Sequence, residues 1–196
     1  MNREEVQAIG TKSNVWFKTR HITYMALFVA LIAIGAFIKI PIPVLPFTLQ
    51  FLFTMLAGLL LGGKNGAICV ATYIALGLLG LPIFAEGGGF LYLLKSTFGY
   101  LVGFCVASYV IGSLAERTDN HSVKNVSLYN FIGLFIVYSV GMVYYYIICN
   151  YVINTPIALW PLFLYGFILA VPGDIFLCFL AAILNKRLRL VLQNVG

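Results

Sequence analysis

Acidic side chains are scarce in this chain. Six Asp and Glu stand among 196 residues, against twelve Lys and Arg, and charged residues make up only 9%. So little charge excludes an ordinary soluble globular domain. Histidine is rarer still. His21 stands in the amino-terminal flank and His121 in a polar internal stretch, so the spacing assembles neither a metal cluster nor a nucleophile–base pair. The four cysteines, Cys69, Cys105, Cys149 and Cys178, are scattered through apolar segments without a C-x-x-C pair. That argues against a disulfide framework or a metal site and for small buried thiols. What the chain has in plenty is apolar: 62% of it is hydrophobic and its mean hydropathy is +1.00. An integral membrane protein follows. At roughly 20 residues per spanning helix the length accommodates about six spans in one compact helical bundle.

The expected spans are Ile22–Ile38, Phe47–Gly63, Gly66–Gly80, Ser96–Leu114, Leu128–Ile153 and Leu159–Leu184. A polar segment, residues 1–21, precedes them, and a basic tail, residues 186–196, follows; the domain between is 22–185. With an internal amino terminus, Arg3, Lys12, Lys18, Arg20, Lys64, Arg117, Lys124, Lys186, Arg187 and Arg189 all fall inside. That is ten of the twelve basic residues, leaving Lys39 and Lys95 outside. This asymmetry obeys the positive-inside rule and places both termini in the cytoplasm. These charges flank spans and form no stripe, so no nucleic-acid partner is expected. The basic start resembles a signal peptide, but its apolar run continues into Lys39 and Pro41 without a small-residue cleavage site. It reads as a retained first span.

Along the chain, Ala26, Ala30 and Ala33 share one face of the first helix. Small residues at that spacing admit a close neighbour, either an internal span or a partner. Pro41, Pro43 and Pro46 keep the next connection non-helical. Thr48 is a candidate cap of the second helix, and Gln50 a polar group that faces either ligand or loop backbone. Lys64-Asn65 is the expected turn into the third span. Gly99-x-x-x-Gly103 with Ala107, and Gly58-x-x-x-Gly62, read as helix-packing motifs. Residues 115–127 form the one long polar loop. Tyr144, Tyr145, Tyr146 and Tyr151 suit an aromatic belt at the membrane interface. No internal repeat is evident.

Two features point to a ligand. The first is the connector Gly80–Gly103, GLPIFAEGGGFLYLLKSTFGYLVG. Irregular backbone in a membrane protein persists where protein or a wet cavity satisfies it. The glycines before Lys95-Ser96 fall short of a phosphate loop, because Leu94 stands where its last glycine belongs. No ATPase is encoded. The second feature is Asp174, the one acid inside an apolar run, preceded by Pro172 and Gly173. Burying it costs about 2.5–3.5 kcal/mol on insertion scales, so something must offset that. An intramembrane carboxylate beside a helix break marks a binding site; an internal partner such as Lys95 is the alternative. Ala170, Phe167 and, less directly, Trp160 fall on its helical face. A carboxylate accepts two parallel N–H donors, which suits a urea-like or guanidine-like group against aromatic walls.

PIPVLPFTLQ after a small-residue first helix, GLLGLPIFAEGGG, FGYLVGF and the late PGD together resemble the BioY family. These are the biotin-specific S components of energy-coupling-factor vitamin transporters. The resemblance runs from about Tyr24 to Phe104 and returns near Asp174. It implies an all-α, six-helix capture subunit in a prokaryotic cell membrane. Such a subunit takes biotin from outside and docks on a transmembrane coupling protein that also carries two cytoplasmic ATPases. It has no cofactor and does no chemistry of its own. The family's A-x-x-x-A contact with the coupling protein matches Ala26 and Ala30. Its binding region points to Phe84, Glu86, Gly88, Gly89, Tyr92, Lys95, Ser96, Tyr100 and Asp174, with Gln50 and Trp160 added from the residue pattern. The chain departs from the family where Lys95-Ser96-Thr97-Phe98-Gly99-Tyr100 replaces G-P-T-G-G-Y, and where Leu177 replaces a lysine three residues after the aspartate. Lys95 is therefore the expected holder of a ligand carboxylate. An S component for another vitamin and a small membrane enzyme are the alternatives.

Overall fold

A computed structural model describes residues 3–40, 47–118 and 120–194, with side chains described for 19–40, 47–118 and 120–189. Pro41, Pro43 and Pro46, and the side chains of Arg3, Lys12 and Lys18, lie outside the described residues. Among the described residues the regular structure is helical apart from one short ribbon and a single bridge between Phe84 and Gly87.

Helix α1 runs without interruption from Arg3 to Phe37. The expected separate polar segment is instead the first turns of the same helix. Residues 3–21 hold good helix formers and no proline, so nothing there ends it. Its apolar part, Thr19–Phe37, is long enough to cross a membrane. Strand β1 (Lys39–Ile40) then pairs antiparallel with β2 (Phe47–Thr48), Lys39 opposite Thr48. Thr48 thus belongs to the ribbon and caps nothing. Leu49 stands at the N-cap of α2 without a side-chain cap.

Helices α2 (Gln50–Leu61) and α3 (Gly63–Leu78) have twelve and sixteen residues. At 1.5 Å per residue they are about 18 and 24 Å long, below the roughly 30 Å of a bilayer core. The turn between them falls at Gly62, whose φ of +87° suits glycine. Lys64 and Asn65, the expected turn, already lie in the first turn of α3, and Asn65 Nδ2 donates back to the Leu61 carbonyl at 3.0 Å.

Helix α4 (Phe98–Glu116) is the centre of the molecule. At its crossing with α2 and α3 the backbones touch. A Cβ on Gly112 would lie 2.4 Å from Gly63 N, and one on Gly58 2.5 Å from the Ser108 carbonyl. Gly103 approaches Val137 of α5 in the same way, at 3.0 Å. The motif at 99–107 therefore packs α4 on α5, whereas of the pair Gly58 and Gly62 only Gly58 packs helices. Residues 117–122 connect α4 to α5 (Val123–Ile147), where the Ser122 hydroxyl caps the helix by accepting from Asn125 N. The polar loop is shorter than expected because both flanking helices extend into it.

α5 ends in a π-helical turn, Ile148–Val152. After an irregular link comes α6 (Leu159–Phe163), a second π-helical turn (Leu164–Ile168), and α7 (Val171–Asn194). The break at Leu169–Ala170 sits just before Pro172-Gly173. The basic tail continues α7, and Arg189 donates to the Leu59 carbonyl at 3.2 Å. Among the described residues four stretches are long and apolar enough to cross a membrane: Thr19–Phe37, Phe98–Glu116, Val123–Val152 and Leu159–Arg189.

Candidate ligand-binding site

The connector after α3 is a folded cap with its own anchor. Phe84 and Gly87 exchange both backbone hydrogen bonds, at 2.9 and 3.2 Å, closing a tight loop around Ala85-Glu86. Gly87 has φ +112°, which a side chain rarely adopts. The Phe84 ring plugs inward, 5.4 Å from Tyr73 and 4.4 Å from Tyr92. It fits because α3 carries Gly77 there; a Cβ would come within 2.1 Å of the ring. Tyr73 donates to the Ile83 carbonyl, Lys39 Nζ to the Ala85 carbonyl at 2.6 Å, and Tyr144 to the Leu93 carbonyl. Gly88 packs against the Leu81 carbonyl, where a Cβ would be 2.1 Å away, and Gly89 N donates to Gly77 O at 2.7 Å. A 3₁₀ turn, Phe90–Leu94, leads to α4 and carries buried Tyr92.

Beneath this cap lies a cavity of about 60 Å³ between the connector and α2, α4, α5 and α7. Five of the sequence-predicted residues, Gln50, Glu86, Tyr92, Tyr100 and Asp174, meet in its wall. Asp174 stands in the first turn of α7, its backbone N donating to Ala170 O at 3.3 Å. Its Oδ2 accepts from the Tyr138 hydroxyl at 2.5 Å. The Tyr138 ring is held edge-on by Tyr100 (5.9 Å, 84°) and Phe167 (5.4 Å, 86°). Gly141 of α5 makes room for Tyr100, since a Cβ there would lie 2.4 Å from its ring. Gly173 likewise admits Phe47, at 2.5 Å. Gly173 thus lets β2 close onto the start of α7.

Two polar atoms in the wall have no hydrogen-bond partner among the described residues, Gln50 Nε2 and Thr97 Oγ1. Gln50 is 3% exposed. Its amide lies beside the Tyr73 hydroxyl without completing a bond, and Thr97 lies likewise beside Tyr92. A buried donor left open costs about 1–3 kcal/mol, which makes these two atoms candidate ligand contacts. Burial pushes the Tyr92 phenol up, outweighing the neighbouring Thr97 hydroxyl, so Tyr92 stays a neutral donor.

The remaining predicted residues lie apart from the wall. Phe84 is behind it, supporting Tyr92. Gly88 and Gly89 shape the connector backbone. Lys95 is outside, paired with Glu86 Oε2 at 2.8 Å and 5.3 Å above the Tyr92 ring. The carboxylate of Asp174 is therefore partnered by a tyrosine, and Lys95 by a different acid. Ser96 lies beside Tyr145. Trp160 is 67% exposed on another face of the bundle. Ala26 and Ala30 are exposed along α1. The residues missed include Phe47, Phe51, Thr97, Phe104, Val137 and Tyr138. Tyr138 had a signal, because a tyrosine deep within an apolar span needs a hydrogen-bond partner. The rest are apolar or generic and carry none.

The chain matches the BioY family over residues 7–194. A probable biotin transporter BioY of Lysinibacillus sphaericus is 44% identical over 176 residues, 90% of each chain. The biotin transporter BioY of Thermotoga maritima is 43% identical over 124 residues, 63% of this chain and 72% of its own. Among solved structures, the S-component for biotin from an ECF-type ABC transporter superposes with a TM-score of 0.72 at 30% identity, over 88% of this chain and 92% of that one. With nearly the whole sequence matched and the fold shared, this chain belongs to the BioY family.

Proposed function

We propose that this chain is the biotin-capturing subunit of an energy-coupling-factor transporter, and that biotin binds beneath the Gly80–Gly103 connector. The observation that carries the reading is Asp174, a carboxylate on the cavity wall of a membrane bundle, held by Tyr138 with acceptor capacity to spare. A ureido ring presents two N–H donors and one carbonyl. Asp174 accepts the former, and the open amide of Gln50 donates to the latter. Tyr92 and Tyr100 flank the ring system, with Phe84 backing them. Glu86, Gly88 and Gly89 belong to the lid, and Lys95 and Ser96 stand at its edge, where an acidic tail emerges. Trp160 is left outside this arrangement. The 60 Å³ cavity is well below the roughly 150 Å³ that accommodates benzene. Capture therefore widens it, and the connector, the one irregular segment of the wall among the described residues, is the part that yields.

In this reading the helical stretches make six passes, α2 and α3 being short ones. Both termini lie in the cytoplasm of a prokaryote, as the distribution of basic residues supports. The exposed Ala26 and Ala30 face a transmembrane coupling protein, and two cytoplasmic ATPases supply the energy. The test is isothermal calorimetry of the purified protein with biotin. The wild-type chain should give one saturable site. Asp174→Asn should lose on the order of a hundredfold in affinity, since hydrogen bonds to a charged group are worth about 1.5–3 kcal/mol each. No binding by the wild type, or equal affinity in both, overturns the reading.

A further inference from the structure

At the connector end of the bundle, away from the cavity, α5 and α6 bound an open groove of about 620 Å³. Its walls include Met142, Val143, Tyr146, Ile147, Trp160 and Phe163, with no charged side chain. Val143 is 60% and Trp160 67% exposed. Both walls belong to membrane-length apolar stretches, in which an apolar run of 18 residues is only 33% and 28% buried in the protein. The groove is thus continuous with the surface that the bilayer covers. Water entering an apolar space of that size is disfavoured, and an empty one forfeits dispersion contacts on every wall. Hydrocarbon is the filler at hand.

The groove also sits where the fold is short of support. α6 has five residues and runs into a π-helical turn, and a helix so short draws its stability from packing. On one side Phe163 stacks on Phe167 at 5.1 Å and 16°. Phe167 in turn holds Tyr138, which bonds Asp174. On the other side Phe163 faces the groove. We propose that one phospholipid acyl chain occupies this groove as a discrete site, packing α6 against α5 and backing the ring stack from behind. Because the lining carries no charge, the site recognises the chain and not the headgroup.

Trp160 is a built-in reporter. The Trp16→Phe variant leaves it as the sole tryptophan. Delipidated in detergent and titrated with dibrominated-chain phosphatidylcholine or phosphatidylglycerol, this variant should show quenching that saturates near about one lipid per protein, equally for both headgroups. Its melting temperature should rise with the same titration, as it does for any ligand that binds only the folded state. Val143→Phe in the same background, which puts a bulky ring into the groove where the chain would lie, should weaken both the saturable phase and the temperature rise. Trp160→Phe, retaining Trp16, should show no saturable phase. Quenching that grows only in proportion to the lipid fraction, that depends on headgroup, or that persists unchanged in Val143→Phe overturns the proposal. None of these readouts uses biotin, so they stand or fall apart from the function proposed above.

Discussion

Asp174 and Tyr138 are one unit. The carboxylate is affordable inside the bundle because a phenol fixed by two other rings donates to it. Tyr138→Phe keeps the ring and removes the donor, so a folded protein should result with a lower melting temperature in detergent. A loss of about 1–3 kcal/mol is expected for a buried acceptor stripped of its partner; an unchanged or raised melting temperature would refute the pairing. Lys95 and Glu86 form a second unit, at the cavity mouth. Both are more than 40% exposed, so their attraction is worth at most about 1 kcal/mol. If Lys95 exchanges that acid for the ligand's tail, Lys95→Ala should weaken biotin far more than biotinol, which lacks the carboxylate. Glu86→Gln, which releases Lys95, should tighten biotin up to about fivefold. Calorimetry with the two ligands checks both, and parallel losses for biotin and biotinol dismiss the role. Asp174 and Gln50 were legible in the sequence because a polar group in an apolar run has to be explained. The partner of Lys95 was not legible, since Glu86 lies nine residues back through a glycine-rich loop whose path no periodicity gives. Trp160 misled for a related reason. The face it shares with Asp174 on a regular helix is lost through a π-helical turn and the break at Leu169–Ala170.

At the level of elements, helix type and order followed from hydropathy, and boundaries failed where local chemistry was silent. No proline separates residues 3–21 from the first span, so α1 absorbs them. Nothing in the pattern announces that α2 stops after twelve residues; that length is set by Gly62, where α3 must turn back beside α4. Gly58, Gly99 and Gly103 make the close approaches their motifs predicted while Gly62 turns the chain instead, and only the structure tells which glycine faces which helix. Gly141 shows the consequence for the site. It belongs to no motif, yet it is the gap in α5 that receives the Tyr100 ring. Gly141→Ala should push that ring toward the cavity, destabilising the protein by about 1–3 kcal/mol as overpacking does and weakening biotin more than it lowers stability. Thermal unfolding and calorimetry on the same preparation separate the two. Full affinity in Gly141→Ala would mean that Tyr100 does not shape the ligand's place.

On the scale of the whole molecule, the cavity and the small-residue strip of α1 proposed for docking lie on separate elements. The cavity is assembled from β2, α2, α4, α5, α7 and the connector, and no described side chain of α1 lines its wall. The apolar part of α1 packs on α2 and α3 through Phe28 and Ile32, which are buried, while Ala26 and Ala30 stay exposed. Small residues on an exposed helix face give a flat strip on which another helix can lie close, and under the proposed docking role its separation from the cavity means that docking and capture should vary independently. Ala30→Trp should therefore leave biotin affinity and melting temperature within experimental error of the wild type. The same substitution should abolish co-purification with the coupling protein and ATP-dependent biotin uptake in cells that express the whole transporter. Loss of binding in the isolated subunit would place α1 in the capture machinery, and unimpaired uptake would move the docking face elsewhere on the bundle.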